Sequence, residues 1–348
     1  MKQIKIGNFE LGTGKTFIIA ELSANHNGSL ETAIETIRAA KKAGADCIKL
    51  QTYTADSITL NVKNDYFKIK QGTAWDGKYL YDLYQEAYTP WEWHAQLFQV
   101  ANEEGLICFS SPFDFAAVDL LESLNAQAYK IASFEITDIP LIEYVASKKK
   151  PVIISTGIAD ESDIQLAIDT CLKVGNDQIV LLQCTSEYPA APETANLKNI
   201  LLIQNKFNVL SGLSDHTSGI EAPLLSVALG ATVIEKHFIL DKKMGGVDSH
   251  FSLDVAEFKQ MVDGVRMAEK LLGKADFSMT DKKKRSREFS RSLFVAEDMK
   301  AGDVITEKNV RSVRPGFGMH PKYLKDLLGK KVKEDLKKGT PLSLEKIF

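Results

Sequence analysis

NVLSGLSDHT, Asn208 to Thr217, and TVIEKHF, Thr232 to Phe238, each pass from a short apolar run into a polar end that carries a histidine. The runs Val209-Leu210 and Thr232-Val233-Ile234 read as β-strand, which sets SDHT and EKHF at strand carboxyl ends. Imidazole nitrogen is a borderline ligand suited to Zn, Mn and Fe, so two histidines delivered from consecutive strand ends can hold one divalent ion. Either histidine alone is an ordinary polar residue. Their matched positions make His216 and His237 a candidate metal pair.

Working outward from these two stretches, eight β-rich runs alternate with helical patterns: Phe17–Ala20, Asp46–Leu50, Leu106–Ser110, Ala128–Ile131, Pro151–Ser155, Gln178–Gln183, Asn208–Leu210 and Thr232–Glu235. Amphipathic stretches such as Leu30–Ala43 and Ala116–Leu124 lie between them, with apolar residues three and four apart. This alternation is what a (β/α)₈ barrel requires. A doubly wound open sheet has the same alternation, and periodicity does not distinguish closure.

A barrel places its chemistry at the carboxyl ends of its strands. Those ends carry Glu21; Lys49 and Gln51; Ser110 and Ser111; Lys130 and Ser133; Ser155 and Thr156; Ser186 and Tyr188; Ser214 to His216; and Glu235 with His237. Every end supplies a polar residue able to bind or react, as one shared pocket would require.

Two segments interrupt the alternation. Thr52 to Pro90 is too long for a simple βα loop and holds Tyr53, Tyr66, Phe67, Trp75, Tyr79, Tyr81, Tyr84 and Tyr88. Long loops of this kind serve as covers or binding walls, and aromatics also anchor loops to a barrel face. The second is the basic run KKKRSR, Lys282 to Arg287, read as a solvated linker. The expected division is a barrel over 1–275, a linker over 276–290 and a small α/β module over 291–348.

Composition narrows the class. The chain has 348 residues, 44% hydrophobic and 26% charged, as in ordinary soluble globular proteins. Its net charge of −3 gives no reason to expect nucleic acid or an anionic membrane as partner. The cysteines Cys47, Cys108, Cys171 and Cys184 form no CxxC pair, and three of them fall inside strand patterns, which favours a reducing compartment. MKQIKIGNFELG has no signal-peptide core, and no stretch approaches the ~18 apolar residues of a membrane span. A cytoplasmic protein is expected. GTGKT, Gly12 to Thr16, is similar to a phosphate-binding loop, but Phe9 stands where that motif needs glycine, and the stretch precedes a strand rather than following one. The Asn27-Gly28-Ser29 sequon matters only on secretion; NHNG reads as the turn after the first strand.

The stretches IAELSANHNGSLETA (Ile19–Ala33), AGADCIKLQTY (Ala43–Tyr53), FSSPFD (Phe109–Asp114), YKIASFE (Tyr129–Glu135), ISTG (Ile154–Gly157), QCTSEYPA (Gln183–Ala190), GLSDHT and EKHF together resemble the sialic acid synthase family. These enzymes condense phosphoenolpyruvate with an amino-sugar aldehyde. RSLFVAEDMKAGDVIT and VRPGFGM, from Arg291 onward, look like that family's antifreeze-like (SAF) domain. WDGKYLYDLYQEAYTPWEWH (Trp75–His94) and VDSHFSLD (Val247–Asp254) look like its pseudaminic acid synthase branch. Val247 replaces the proline of many relatives, and Ser186 stands where neuraminate synthases often carry asparagine.

The resemblance implies a metal-dependent condensation of phosphoenolpyruvate with 2,4-diacetamido-2,4,6-trideoxy-L-altrose. His216 and His237 would hold Mn²⁺ or Mg²⁺, although two imidazoles also suit Zn²⁺ or Co²⁺. Lys49 and Lys130, with Ser111, Ser133, Ser155, Ser186 and Ser214, would bind the phosphate and carboxylate. Glu21 would handle the attacking water, or stabilise the cation and then the tetrahedral intermediate, with Glu235 the second choice as base or metal ligand. Tyr188, Asp248 and Gln51 would contact the sugar. Arg314 would reach its acyl group from a neighbouring subunit, which implies a domain-swapped homodimer. N-acetylneuraminate or legionaminate synthesis is the same chemistry on another sugar. A sugar-binding barrel without catalysis, or a metal-dependent aldolase using pyruvate, would release no phosphate.

Overall fold

In a computed structural model of the chain, which describes residues 2–70, 72 and 75–348, eight parallel strands close into a barrel. They are β1 (Phe17–Glu21), β2 (Cys47–Thr52), β3 (Ile107–Pro112), β4 (Tyr129–Ile131), β5 (Val152–Ser155), β6 (Ile179–Cys184), β7 (Leu210–Asp215) and β8 (Val233–His237). Closure is made by β8 pairing with β1, in a register that sets Glu235 beside Ile19 and His237 beside Glu21. The open-sheet alternative is thereby removed. Period-two alternation then does the sorting: in β1, Phe17, Ile19 and Glu21 share one face, and Ile18 and Ala20 the other. Ile18 and Ala20 pack outward with Ile48, Leu50 and Ile234 against helix residues such as Ile37, Leu97 and Phe258. Each such large apolar side chain, fully buried, contributes ~1.5–3 kcal/mol.

The outer ring is α1 (Leu30–Ala43), α2 (His94–Glu103), α3 (Phe115–Ser123), α4 (Ile139–Ser147), α5 (Glu161–Lys173), α6 (Asn199–Phe207), α7 (Glu221–Ala228) and α8 (Val255–Leu272). Local sequence starts and stops them. The Ser29 hydroxyl caps α1 by accepting from the Thr32 amide, and Gly44 ends it at φ 95°, where a side chain would be strained. Asp160 with Asp163, and Asp254 with Glu257, form reciprocal capping boxes on α5 and α8.

An antiparallel hairpin, Ile4–Ile6 with Phe9–Leu11, precedes the barrel and was not anticipated from the sequence. Three-residue strands are too short for periodicity to reveal. Its Ile4, Ile6 and Leu11 join the core that contains Phe17, Ile107 and Leu210, so it covers the amino-terminal pole and leaves the opposite mouth for chemistry. GTGKT lies between this hairpin and β1, with no helix following it.

The long segment after β2 contains helices Ala55–Ile58 and Leu80–Ala87; its residues 71, 73 and 74 lie outside the described ones. Its aromatics divide by task. Tyr53 meets Tyr84 and Phe113 at ring separations of 5.8 and 5.1 Å and anchors the segment. Trp75 instead reaches Tyr188 after β6, and Tyr66 is exposed.

The NHNG turn forms where expected, with Asn27 and Gly28 at φ 48° and 70°. Its His26 is fully buried: Nδ1 accepts from the Gly28 amide at 3.0 Å, and Nε2 faces the Thr89 hydroxyl at 3.3 Å. Burial, helped by His94, pushes its pKa down to about 4. The imidazole is neutral when folded but protonates near 6.5 when unfolded, so stability is full above about pH 6.5 and falls as the pH drops toward 4. Between pH 7.5 and 5.0 this group should cost about 2 kcal/mol of unfolding free energy. Urea titrations at both pH values should show that slope reduced in His26→Gln; an unchanged slope would refute the assignment.

The chain divides into two compact units, Met1–Gly273 and Lys274–Phe348. The second contains a short helix, Asp281–Arg287, within the stretch read as a linker. Thr280 caps it, and acidic and basic residues occupy its first and last turns in the order the helix dipole favours. Strands Ser292–Val295 and Val310–Val313 pair antiparallel over a small core of Leu293, Val295, Ile305, Val310 and Leu336. Among the described residues, no helix is long and apolar enough to cross a membrane.

Candidate active site

At the carboxyl mouth, β1, β2, β4 and β8 bring Glu21, Lys49, Lys130 and Glu235 together, all 5% exposed or less. Lys49 Nζ lies 2.5 Å from Glu21 Oε2 and 3.8 Å from Glu235 Oε1, while Lys130 Nζ lies 3.6 Å from that same Glu235 oxygen. Gln51 Nε2 donates to Glu21 Oε1 at 3.0 Å and to the Ser23 hydroxyl at 2.9 Å. Lys49 also donates to Ser111 Oγ at 3.3 Å, and Ser214 Oγ donates to Glu235 Oε1 at 3.1 Å. Buried charges persist only when paired and hydrogen-bonded, and this arrangement meets that demand.

The two carboxylates differ. Burial pushes Glu21 up to about 7 despite the pull of Lys49, and Glu235 adds to the rise. Burial opposes charge on Glu235 as well, but Lys130 and Lys49 outweigh it and hold this carboxyl below its usual range. Burial lowers Lys130, against the attraction of Glu235; Lys49, equally buried, is held above its ordinary value by Glu21 and Glu235. Glu235 is therefore the standing counter-charge of the lysines, and Glu21 is the group able to exchange a proton near neutrality.

The remaining serines line the β4–β6 side. Ser186 Oγ donates to Ser133 Oγ at 2.8 Å, and a Cβ on Gly157 would lie 2.4 and 2.8 Å from those two oxygens, so only glycine admits the pair. Ser155 Oγ is buried and makes no hydrogen bond. Deeper in the barrel, a Cβ on Gly212 would sit 2.3 Å from the Val233 carbonyl oxygen, which accounts for glycine inside β7.

His216 and His237 stand edge to face, ring centroids 5.4 Å apart. The Thr185 carbonyl lies 2.8 Å from His216 Nδ1, which fixes that nitrogen as donor and leaves Nε2 to serve as ligand. His237 Nδ1 is buried without a hydrogen bond, 3.9 Å from Asp248 Oδ2. Burial and neighbouring positive groups keep His237 neutral, the form a metal requires. An orphaned imidazole nitrogen beside an oriented second imidazole fits a divalent cation as a pair of protein ligands. Among the described residues, no group of three or more His, Cys, Asp and Glu has metal-holding spacing.

The Tyr188 ring packs tilted against His216 at 4.3 Å and against Phe251 at 5.2 Å. Asp248 accepts from the Ala24 amide at 3.3 Å, which pins the loop after β8 to the turn after β1. The barrel residues expected from the sequence thus converge. Arg314 belongs to the second unit, where it lines a basic depression with Lys282, Lys283 and Arg287.

Two features escaped the sequence reading. Glu135, two residues beyond Ser133, has a buried Oε2 without a hydrogen bond, and burial pushes it up to about 7 against Lys130. Its place at a strand end inside YKIASFE was the available signal. Lys236 and Asp215 form an ion pair at 2.5 Å on the outward face of β7 and β8, with side chains at most 2% exposed. The pair ties together the strand ends that carry both histidines. A 630 Å³ depression near the hairpin, lined by Asn8, Phe98, Gln99 and Gln127, holds no charged side chain, so volume alone does not mark the site.

Comparison with known proteins agrees with this geometry. The NeuB family model matches residues 36–277 and the SAF domain model residues 290–347. The chain is 52% identical to the pseudaminic acid synthase of Campylobacter jejuni, over 97% of this chain and 98% of that one. It is 38% identical to the N,N'-diacetyllegionaminic acid synthase of Legionella pneumophila, over 95% and 94%. The N-acetylneuraminic acid synthetase structure from Leptospira borgpetersenii superposes with a TM-score of 0.74 at 30% identity, covering 83% of this chain and 96% of that one. A closed barrel with its charged quartet and paired imidazoles at the carboxyl mouth, together with these matches, shows that the chain belongs to the NeuB family.

Proposed function

We propose that the chain is a pseudaminic acid synthase, joining phosphoenolpyruvate to 2,4-diacetamido-2,4,6-trideoxy-L-altrose with release of phosphate. The observation that carries the chemistry is the buried quartet Glu21, Lys49, Glu235 and Lys130 beside His216 and His237. The 52% identity to a pseudaminic acid synthase, against 38% to a legionaminic acid synthase, supports this sugar over its relatives.

With Glu21 near its midpoint at neutral pH and Glu235 ionised, the quartet leans positive, which suits a multiply charged anion. Lys49 and Lys130 hold the phosphate and carboxylate, and Ser111, Ser133, Ser155, Ser186 and Ser214 supply hydroxyl donors. Mn²⁺ or Mg²⁺ held by His216 and His237 would polarise the aldehyde oxygen as a Lewis acid. The enol carbon of phosphoenolpyruvate forms the new bond to the aldehyde carbon as the carbonyl π pair moves onto its oxygen, and water adds at the resulting cationic C2, its two protons ending on the new hydroxyl and on the departing phosphate. Glu21 takes a proton of that water, and Gln51 keeps the carboxylate aimed. Collapse at C2 breaks the carbon–oxygen bond and frees phosphate. Tyr188 and Asp248 flank the sugar, and Arg314 of a second copy reaches its acyl group in a domain-swapped homodimer. Phosphoenolpyruvate as substrate and four buried free thiols support a cytoplasmic setting.

The test is phosphate release from phosphoenolpyruvate with Mn²⁺, offering the altrose sugar, a diacetamido-trideoxy-mannose and N-acetylmannosamine in parallel, each with and without chelator. Chelator-sensitive release with the altrose sugar alone is expected. Release only with another sugar would keep the barrel chemistry and overturn the choice of substrate.

A further inference from the structure

We infer that Trp75 sets the preference of this site for an amino sugar that ends in a methyl group. The inference rests on the pseudaminic acid synthase reading. A column of rings leads out of the mouth from the imidazoles: His216 to Tyr188 at 4.3 Å, then Tyr188 to Trp75 at 5.7 Å. Phe251 stands beside the first two rings, 6.3 Å from His216 and 5.2 Å from Tyr188.

Trp75 is held in this column from a second direction. Its Nε1 donates to the Val247 carbonyl at 3.2 Å, and Val247 precedes Asp248, itself fastened to Ala24. Indole has a single polar atom, which here donates to backbone, so the rest of the Trp75 side chain is apolar surface. The segment after β2 is thereby stitched to the loop after β8, across the wall that runs outward from the histidines.

The reacting end of the sugar is its aldehyde, which must lie at the imidazole pair. The open carbon chain then extends outward along Tyr188, and its far end arrives at the next ring in the column. In the proposed substrate that far end is a methyl group, where most hexose-derived aldehydes carry a hydroxymethyl. An indole wall accepts the methyl and leaves an added hydroxyl without a partner. Apolar walls discriminate only modestly, by up to about 100-fold.

The experiment measures kcat/KM on the full-length protein with Mn²⁺, for the 6-deoxy altrose substrate and for its 6-hydroxy counterpart, together with the KM for phosphoenolpyruvate. Wild type should favour the 6-deoxy sugar. Trp75→Ala should shrink that ratio about 10-fold, with the loss confined to the 6-deoxy sugar and the KM for phosphoenolpyruvate unchanged. Trp75→Phe should retain most of the ratio, because a ring remains. Should Trp75→Ala fail to fold in a thermal melt, Trp75→Gln, polar and extended, carries the same expectation. An unchanged ratio in the variants, or an equal loss with both sugars alongside a raised KM for phosphoenolpyruvate, overturns the inference. Phe behaving like Ala also overturns it, because the Val247 hydrogen bond rather than the ring would then be at work. Wild-type enzyme active only on a different amino sugar overturns both this inference and the functional reading, whereas an active wild type with indifferent variants overturns this inference alone.

Discussion

Glu21→Gln should lower kcat roughly 10²–10⁴-fold while phosphoenolpyruvate still binds, the range expected when a positioned proton acceptor is lost. The amide keeps the shape of the side chain and an oxygen for Gln51, so the wall of the pocket stays in place. Lys49 loses its closest ionic partner but keeps Glu235 at 3.8 Å and Ser111 at 3.3 Å. The anion site therefore survives, with added positive character. Glu21→Ala should behave alike in turnover and additionally open a small cavity. Steady-state rates and calorimetric titration with phosphoenolpyruvate separate the two effects. Turnover at the wild-type rate in either variant would remove Glu21 from the mechanism, and loss of binding without loss of kcat would make it an anion-site residue.

Removing either imidazole should abolish metal binding and activity together. His216 is oriented by the Thr185 carbonyl and His237 is flanked by Asp248, and outer partners of this kind are typically worth 10–100-fold in metal affinity. Deleting one of two protein ligands must cost more, so His216→Ala and His237→Ala should each weaken Mn²⁺ by over about 100-fold in a calorimetric titration. Neither change touches the lysine pair, so phosphoenolpyruvate affinity measured without metal should persist. Full activity of either variant in chelated buffer would sink the Lewis-acid role.

Much of the site was legible because strand ends are local features. A short apolar run ending in Asp-His or Glu-Lys-His announces itself without knowledge of its neighbours, and every expected run overlaps a barrel strand, although the strand expected at Asn208–Leu210 runs on to Asp215. Glu135 was not legible, since a carboxylate in a short 3-10 turn looks like any surface acid until the folded barrel mouth buries its Oε2 near Lys130. The Lys236–Asp215 pair was missed for a related reason. Strand alternation sends Lys236 to the face opposite Glu235 and His237, and only the packed outer ring shows that this face is dry.

The sequence by itself determined the repeating strand–helix order, the polar residue at each strand end and the caps that begin α1, α5 and α8. All of these depend on residues a few positions apart. Tertiary structure alone decided closure, because the β8–β1 register joins segments more than two hundred residues apart. It also decided which carboxylate carries which charge. Glu21 and Glu235 are chemically alike in the sequence. They diverge because two lysines converge on Glu235, while burial dominates at Glu21, and desolvation and pairing exist only once the barrel has closed.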